Sequence, residues 1–137
     1  MSIFIKISSQ NCLSLNPEIS AGFLANHQRD EVRKTHLFEG RSENIYLTEQ
    51  HIPILISLIG EAPEHAEKIL QVKEVRAGFW FNFMPPDSNT LMHSHDDDDE
   101  LLSAVYYLDV PEHSGNLIIY DPSTKIDADS NSGKIEI

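Results

Sequence analysis

Cysteine is almost missing from this chain: Cys12 is the only one in 137 residues. That excludes an intrachain disulfide and any zinc site built from several thiolates, and a reducing compartment fits best. Basic residues are scarce too, 10 against 22 acidic ones, for a formal net charge of −12. Phosphate backbones and anionic lipids repel a surface of that sign, so neither nucleic acid nor a membrane is an expected partner. Long apolar runs are absent. The most apolar window, Ile52 to Ile59, is less than half of the roughly 20 residues that a spanning helix needs. The opening MSIFIKISSQ lacks the basic segment, extended apolar stretch and small-residue cleavage site of a secretory signal. The chain reads as soluble and cytoplasmic. What is present, 40% hydrophobic and 8% aromatic residues, suffices for one ordinary core, so a single domain over 1–137 is expected.

The hydrophobic period changes along the chain. Ile3, Ile5 and Ile7 alternate with Ser2, Phe4, Lys6 and Ser8, close to the period of two of an edge strand. Asn16 as cap and Pro17 in the first turn predict a helix within 16–30, reaching about His27, with Ile19, Phe23 and Leu24 as its apolar stripe. Residues 39–44 read as a polar connection. A second helix is expected within 50–71, striped by Ile54, Leu55, Leu58 and Ile59, interrupted at Gly60 to Pro63, and continued by Ala66, Ile69 and Leu70. From Val72 the period becomes two. Val75, Ala77, Phe79, Phe81 and Phe83 share one face of a predicted strand; Arg76, Gly78, Trp80 and Asn82 share the other. Further strands are predicted at Leu101 to Val110, Leu117 to Tyr120 and Lys134 to Ile137, with turns at Pro85 to Asn89 and Pro111 to Gly115. Helices first and short strands afterwards predict an α+β chain, mainly β, with a helical part over about 1–71 and an antiparallel barrel or sandwich over about 72–137.

The segment that carries chemistry is LMHSHDDDDE, Leu91 to Glu100. Alternate side chains of an extended chain point to one face, so His93, His95 and Asp97 would project together. Two imidazoles and a carboxylate suit a divalent first-row metal, and non-haem iron(II) oxygenases hold their metal with such a triad. The proximal pair can be His93 with His95 or His95 with Asp97. An HxH triplet beside an acidic run is also what a hydrated loop looks like, and most acidic runs are hydrated faces. Three same-face ligands flanked by hydrophobic strands favour the metal. A calcium loop starting at Asp96 fails, because Leu101 stands where the tight turn needs glycine. The histidines at 27, 36, 51, 65 and 113 have no close companions and read as surface residues. Phe79, Trp80, Phe81 and Phe83 read as barrel packing, with Asn82 the polar residue of that strand nearest to a site role.

The stretch GFWFNFMPPDSNTLMHSHDDDDELLSAVYYLDVPEHSGNLIIYDP, with FEGRSENIYL upstream, resembles the bacterial 2-oxoglutarate and iron(II) dependent oxygenases. Their shared pattern has a WFN strand, an HxH segment, LSGVYYL, then VP, SG and a DP turn. The likeness covers roughly Arg33 to Pro122, with Ala104 in place of the usual glycine. It implies a double-stranded β-helix, or jelly roll, with Fe(II) at the mouth of the barrel and 2-oxoglutarate and dioxygen as cosubstrates. His93, His95 and Asp97 fall on the proximal metal segment. Tyr106 or Tyr107 matches the position that hydrogen-bonds 2-oxoglutarate, and Asn82 is assigned with them to the cofactor. The resemblance also implies a distal histidine and then a basic residue that pairs with the far carboxylate of 2-oxoglutarate. No His or Arg lies beyond His113, and Lys125 and Lys134 come too early to match. The expectation is therefore a jelly roll lacking its final strands, as a truncated or non-catalytic form, with an open sheet edge through which it would form a homodimer.

Two other functions fit the same residues. HSHDDDDE matches the first cupin motif, in which His93, His95 and Glu100 would hold a metal without 2-oxoglutarate, although the flanking glycines are displaced and the second motif is missing. A metal-free jelly roll that acts through its edge is the third. The leading expectation is a dioxygenase that hydroxylates a small-molecule or peptide substrate.

Overall fold

Leu15, Ile19 and Phe23 stand four residues apart, the spacing that lines one face of a helix, and all three are buried on helix α1 (Cys12–Asn26). The computed structural model describes residues 5, 7, 12–38, 41–90, 93–95, 99–120 and 134–136, with the backbone alone at 36–38, 41–43, 120 and 134–136. Helix α1 starts earlier than the Asn16 cap predicts, which leaves Pro17 inside it. With no N–H on Pro17, the Leu13 carbonyl loses its helical partner. At the other end Asn26 Nδ2 donates to the carbonyl of Gly22 at 2.8 Å and of His51 at 3.5 Å.

Strands β1 (Arg33–Phe38) and β2 (Arg41–Tyr46) form an antiparallel hairpin in which Arg33 faces Tyr46 and Lys34 faces Ile45. This corrects the expectation of a polar connection. Polar side chains occupy most of the strand positions, and the alternation that buries Ile45 and Leu47 is too short to stand out against them. Helix α2 (Leu55–Leu70) runs through Gly60 and Pro63 without the expected interruption and ends at Gln71, whose φ of 55° is left-handed. The core joins Leu15, Ile19 and Phe23 to Val32, Ile45, Leu47, Ile52 and Leu55, with Phe79, Phe81 and Leu108 packed against it.

Beyond α2 the sequence pattern and the structure part. Among the described residues from 72 to 117 there is no strand, so neither expected strand, Val75 to Phe83 or Leu101 to Val110, is formed. The one exception is an antiparallel bridge in which Ile45 and Phe81 exchange both hydrogen bonds, N to O at 3.0 and 2.8 Å. An alternating pattern states which side chains share a face but does not supply a neighbouring strand. Leu101, Leu102, Val105 and Val110 accordingly remain exposed. The two predicted turns are present and built alike. Ser88 and Ser114 each donate N–H and Oγ–H to the carbonyl of the proline three residues back, Pro85 and Pro111, with positive φ at Asp87 and His113.

The chain divides into a unit at Asn11–Asp109 and a second one at Met1–Gln10 with Val110–Ile137. In the second, β3 (Ile118–Tyr120) pairs antiparallel with β4 (Lys134–Glu136), Ile119 facing Ile135. Ile5 and Ile7 are exposed and not in a strand; the rest of the expected Ile3 to Ile7 strand lies outside the described residues. Among the described residues no helix is long and apolar enough to cross a membrane.

Two predictions follow from the core. A Cβ on Gly22 would lie 2.9 Å from Cγ2 and 3.0 Å from Cγ1 of Ile52, a buried, stiff, β-branched side chain. Gly22→Ala gains about 1 kcal/mol of helix propensity and loses roughly 1 to 3 kcal/mol to overpacking, so urea unfolding should find it destabilising. In an Ile52→Ala background the same change should stabilise; a stabilising effect in both backgrounds would mean that Ile52 does not constrain α1.

His27 corrects its reading as a surface residue. Its Nε2 is buried with no hydrogen-bond partner among the described residues, and its ring packs edge-on against Phe23 at 4.7 Å and tilted against Phe83 at 5.5 Å. Burial, and after it the charge of Lys34, hold its pKa below the ordinary 6.5. Above that value His27 is neutral in both states and adds no pH dependence. As pH falls through it, the unfolded chain takes up a proton that folded His27 resists, so stability is lost. Stability should decline less between about pH 7.5 and about pH 5.5 in His27→Phe than in the wild type; equal declines would count against this account.

Candidate functional site

The histidine segment is carried on a long excursion of the chain whose two ends are fixed. At the near end Phe81 is bridged to Ile45, and its ring lies 5.2 Å from that of Phe23. At the far end Asn16, on α1, accepts a 2.5 Å hydrogen bond from the Tyr106 hydroxyl on Oδ1 and donates Nδ2 to the Tyr107 carbonyl at 3.4 Å. Asn16 was expected as a helix cap. It serves instead as a clamp on the 106–107 segment, a role that no local pattern announces because its partners are 90 residues away or more.

Within this excursion the rings of His93 and His95 lie edge to face with centroids 4.9 Å apart. Glu100 Oε1 is 3.0 Å from His95 Nδ1. Both histidines are exposed and Glu100 is half-buried. The three side chains thus form a small cluster open to solvent. Asp97, the expected carboxylate ligand, lies outside the described residues, as do Asp96 and Asp98. Among the described residues no group of three or more His, Cys, Asp or Glu is arranged to hold a metal ion.

The chemistry of the donor set suits a metal all the same. Imidazole nitrogens favour first-row divalent ions over calcium or magnesium, which prefer oxygen. For 2-oxoglutarate the fit is poorer. The Tyr106 hydroxyl already donates to Asn16, so serving the cosubstrate would require breaking that bond. Tyr107 and Asn82 are exposed. Nearby, on the hairpin, Arg33 stacks over the Tyr46 ring at 4.5 Å and Trp80 lies 6.4 Å from it. The Tyr46 hydroxyl is held below its ordinary pKa, chiefly by the bond it accepts from Thr35 Oγ at 3.4 Å, with the Asn44 side chain and the Arg33 charge adding to it. An open depression of about 420 Å³ lies by the end of α2, lined by Glu64, Glu67, Lys68 and Gln71 among others. None of the candidate site residues lines it. Glu67 also accepts the Val75 N–H at 3.2 Å and so fixes the start of the segment that follows α2.

Comparison with known proteins gives no family assignment: no protein-family model, no curated protein and no solved structure matches the chain.

If Asn16 clamps the far end of the excursion, Tyr106→Phe should cost about 1 kcal/mol of stability in chemical denaturation. Asn16→Ala should cost somewhat more, because it also loses the bond to Tyr107, and the double variant should be no worse than Asn16→Ala alone. Strictly additive losses would show that the hydroxyl–amide bond carries no energy.

Proposed function

We propose that this chain is an iron(II)- and 2-oxoglutarate-dependent dioxygenase domain of cytoplasmic setting. It hydroxylates a small-molecule or peptide substrate and takes its metal on the segment from His93 to Glu100. The observation that carries this reading is the edge-to-face pair of His93 and His95, set within the ordered series of motifs that resembles the oxygenases. In the double-stranded β-helix which that resemblance implies, residues 75–83 and 101–110 would extend the strand pairing that Phe81 begins with Ile45.

Iron(II) and 2-oxoglutarate, when bound, supply the oxidising chemistry, and this chain's residues bind and orient. His93 and His95 would each present one ring nitrogen, and Asp97 would present a carboxylate that offsets part of the charge of a dication. Glycine and proline flank neither histidine, so extended backbone through Ser94 is free to keep the two imidazoles on one face. The open edge of the jelly roll would carry a second copy of the chain.

A second reading is favoured by one contact, that of Glu100 with His95 at 3.0 Å. It is the cupin-like module, with His93, His95 and Glu100 around a metal and no role for 2-oxoglutarate.

Calorimetric titration with Ni(II) or, without oxygen, Fe(II) tests the proposal. His95→Ala should lower affinity by about 10-fold or more, the least expected for losing a direct ligand when supporting residues alone are worth that much, whereas His113→Ala should not change it. Equal effects of the two would mark the binding as adventitious. Asp97→Ala should weaken binding more than Glu100→Ala; the reverse order, with Glu100→Ala abolishing binding, would establish the cupin-like reading.

A further inference from the structure

Ile45 and Leu47 turn inward from strand β2, and both are buried. Side chains alternate along a strand, so Tyr46 between them projects to the opposite, outer face. Its partner across the hairpin is Arg33. On its other side, one step from the Ile45–Phe81 bridge, comes Trp80. Ile45 and Phe81 exchange both backbone hydrogen bonds, which makes the next pair, Tyr46 with Trp80, the kind whose side chains stand closer. The three side chains meet as this register requires. The Arg33 guanidinium lies 4.5 Å over the Tyr46 ring, and the centroids of the Tyr46 and Trp80 rings are 6.4 Å apart. Arg33, Tyr46 and Trp80 therefore make a row across three segments of chain, two strand spacings or roughly 10 Å long.

One end of this row is cationic, the other apolar, and both are open. Trp80 is 43% exposed, and Arg33 is exposed too. Stacking on Tyr46 uses a face of the guanidinium, whereas its N–H groups lie in the plane and point outward. Among the described residues no carboxylate takes them; Arg29, by contrast, pairs with Glu31 at 2.6 Å. We infer that the row Arg33–Tyr46–Trp80 is a binding site for a small aromatic carboxylate, whose carboxylate the Arg33 fork holds and whose ring lies against Trp80. Tyr46, stacked with one and beside the other, orients both. A planar fork of this kind takes a carboxylate by two parallel hydrogen bonds. A monoanion suits the site better than a phosphate dianion, which a chain of net charge −12 repels more strongly. None of the residues proposed to bind metal or 2-oxoglutarate belongs to the row, so this site does not depend on that reading.

Trp80 is the only tryptophan of the chain, so the fluorescence of the intact protein reports on the site directly. The probes are phenylbutyrate, its uncharged amide phenylbutyramide, and butyrate. Phenylbutyrate should change the emission saturably and bind about 10-fold more tightly than either of the others, because the amide lacks the charge and butyrate the ring. Arg33→Gln should weaken phenylbutyrate by about 10-fold or more, the usual worth of hydrogen bonds to a charged group, and so bring it level with the amide. Arg33→Lys keeps the charge without the planar fork and should recover only part of the affinity. Both variants change an exposed side chain, and urea midpoints matching the wild type verify their fold. No saturable response to phenylbutyrate, equal binding of phenylbutyrate and its amide by the wild type, or unchanged affinity in Arg33→Gln would each overturn the assignment.

Discussion

Ile45 is the residue through which the helical core takes hold of the segment that carries the histidines. Its side chain is buried with Ile19 and Leu47, while its backbone N–H and carbonyl both bond to Phe81. Beside that bridge, the Glu67 anchor, the packing of Phe79 and Phe81 on the core and ring contacts hold the chain after α2 at its near end. Asn16 then closes the far end at Tyr106 and Tyr107. The excursion between them is long, but closing a loop costs only about 0.6 kcal/mol more for each doubling of its length. What matters is that both ends are held, and α1 contributes to both, through Phe23 at one end and Asn16 at the other.

The same helix is held in place by shape. Every buried residue among those described is apolar, and burial without direction would let α1 slide or rotate. Gly22 removes that freedom. Its missing side chain admits Ile52 so closely that a methyl group would not fit, and Asn26, one turn on, ties the Gly22 carbonyl and the His51 carbonyl with one amide. Together the close approach and the amide bridge set where Asn16 and Phe23 emerge, and hence where the ends of the excursion are caught.

How much of this the sequence disclosed depends on the range of the interactions. Helical spacing revealed α1 and α2, because Ile19 and Phe23 or Leu55 and Leu58 encode their own neighbours; Leu15, one turn earlier on the same face, was not among them. It misplaced the prolines: Pro17 was read as the start of α1 and Gly60 to Pro63 as an interruption of α2, and both helices run through them. The prolines at 85 and 111 announced their turns through local hydrogen bonds. The hairpin Arg33–Tyr46 was hidden because polar residues fill its outer positions. The strands expected at 75–83 and 101–110 failed for the opposite reason: the pattern was clear and the partner strands were not in it. At the site, HxH spacing singled out His93 and His95, whose rings do lie together. The pairing of Glu100 with His95 was visible only as a motif of another family, and the clamp from Asn16 to Tyr106 left no trace in spacing at all.

Charge and geometry divide the work of recognition at such a site. A chain of net charge −12 attracts any dication and repels any dianion. Solvent ions screen that field beyond roughly 8 Å at physiological ionic strength, and in any case it does not distinguish one metal from another. Carboxylates alone would favour calcium or magnesium. At the metal site proposed on this segment, selectivity for a transition metal would come from the two imidazoles, whose nitrogens offer a lone pair only in the right tautomer and orientation. On an exposed excursion of the chain, orienting two rings at the moment of binding would cost side-chain entropy for each. The edge-to-face contact of His93 and His95 restrains both rings and would lower that cost.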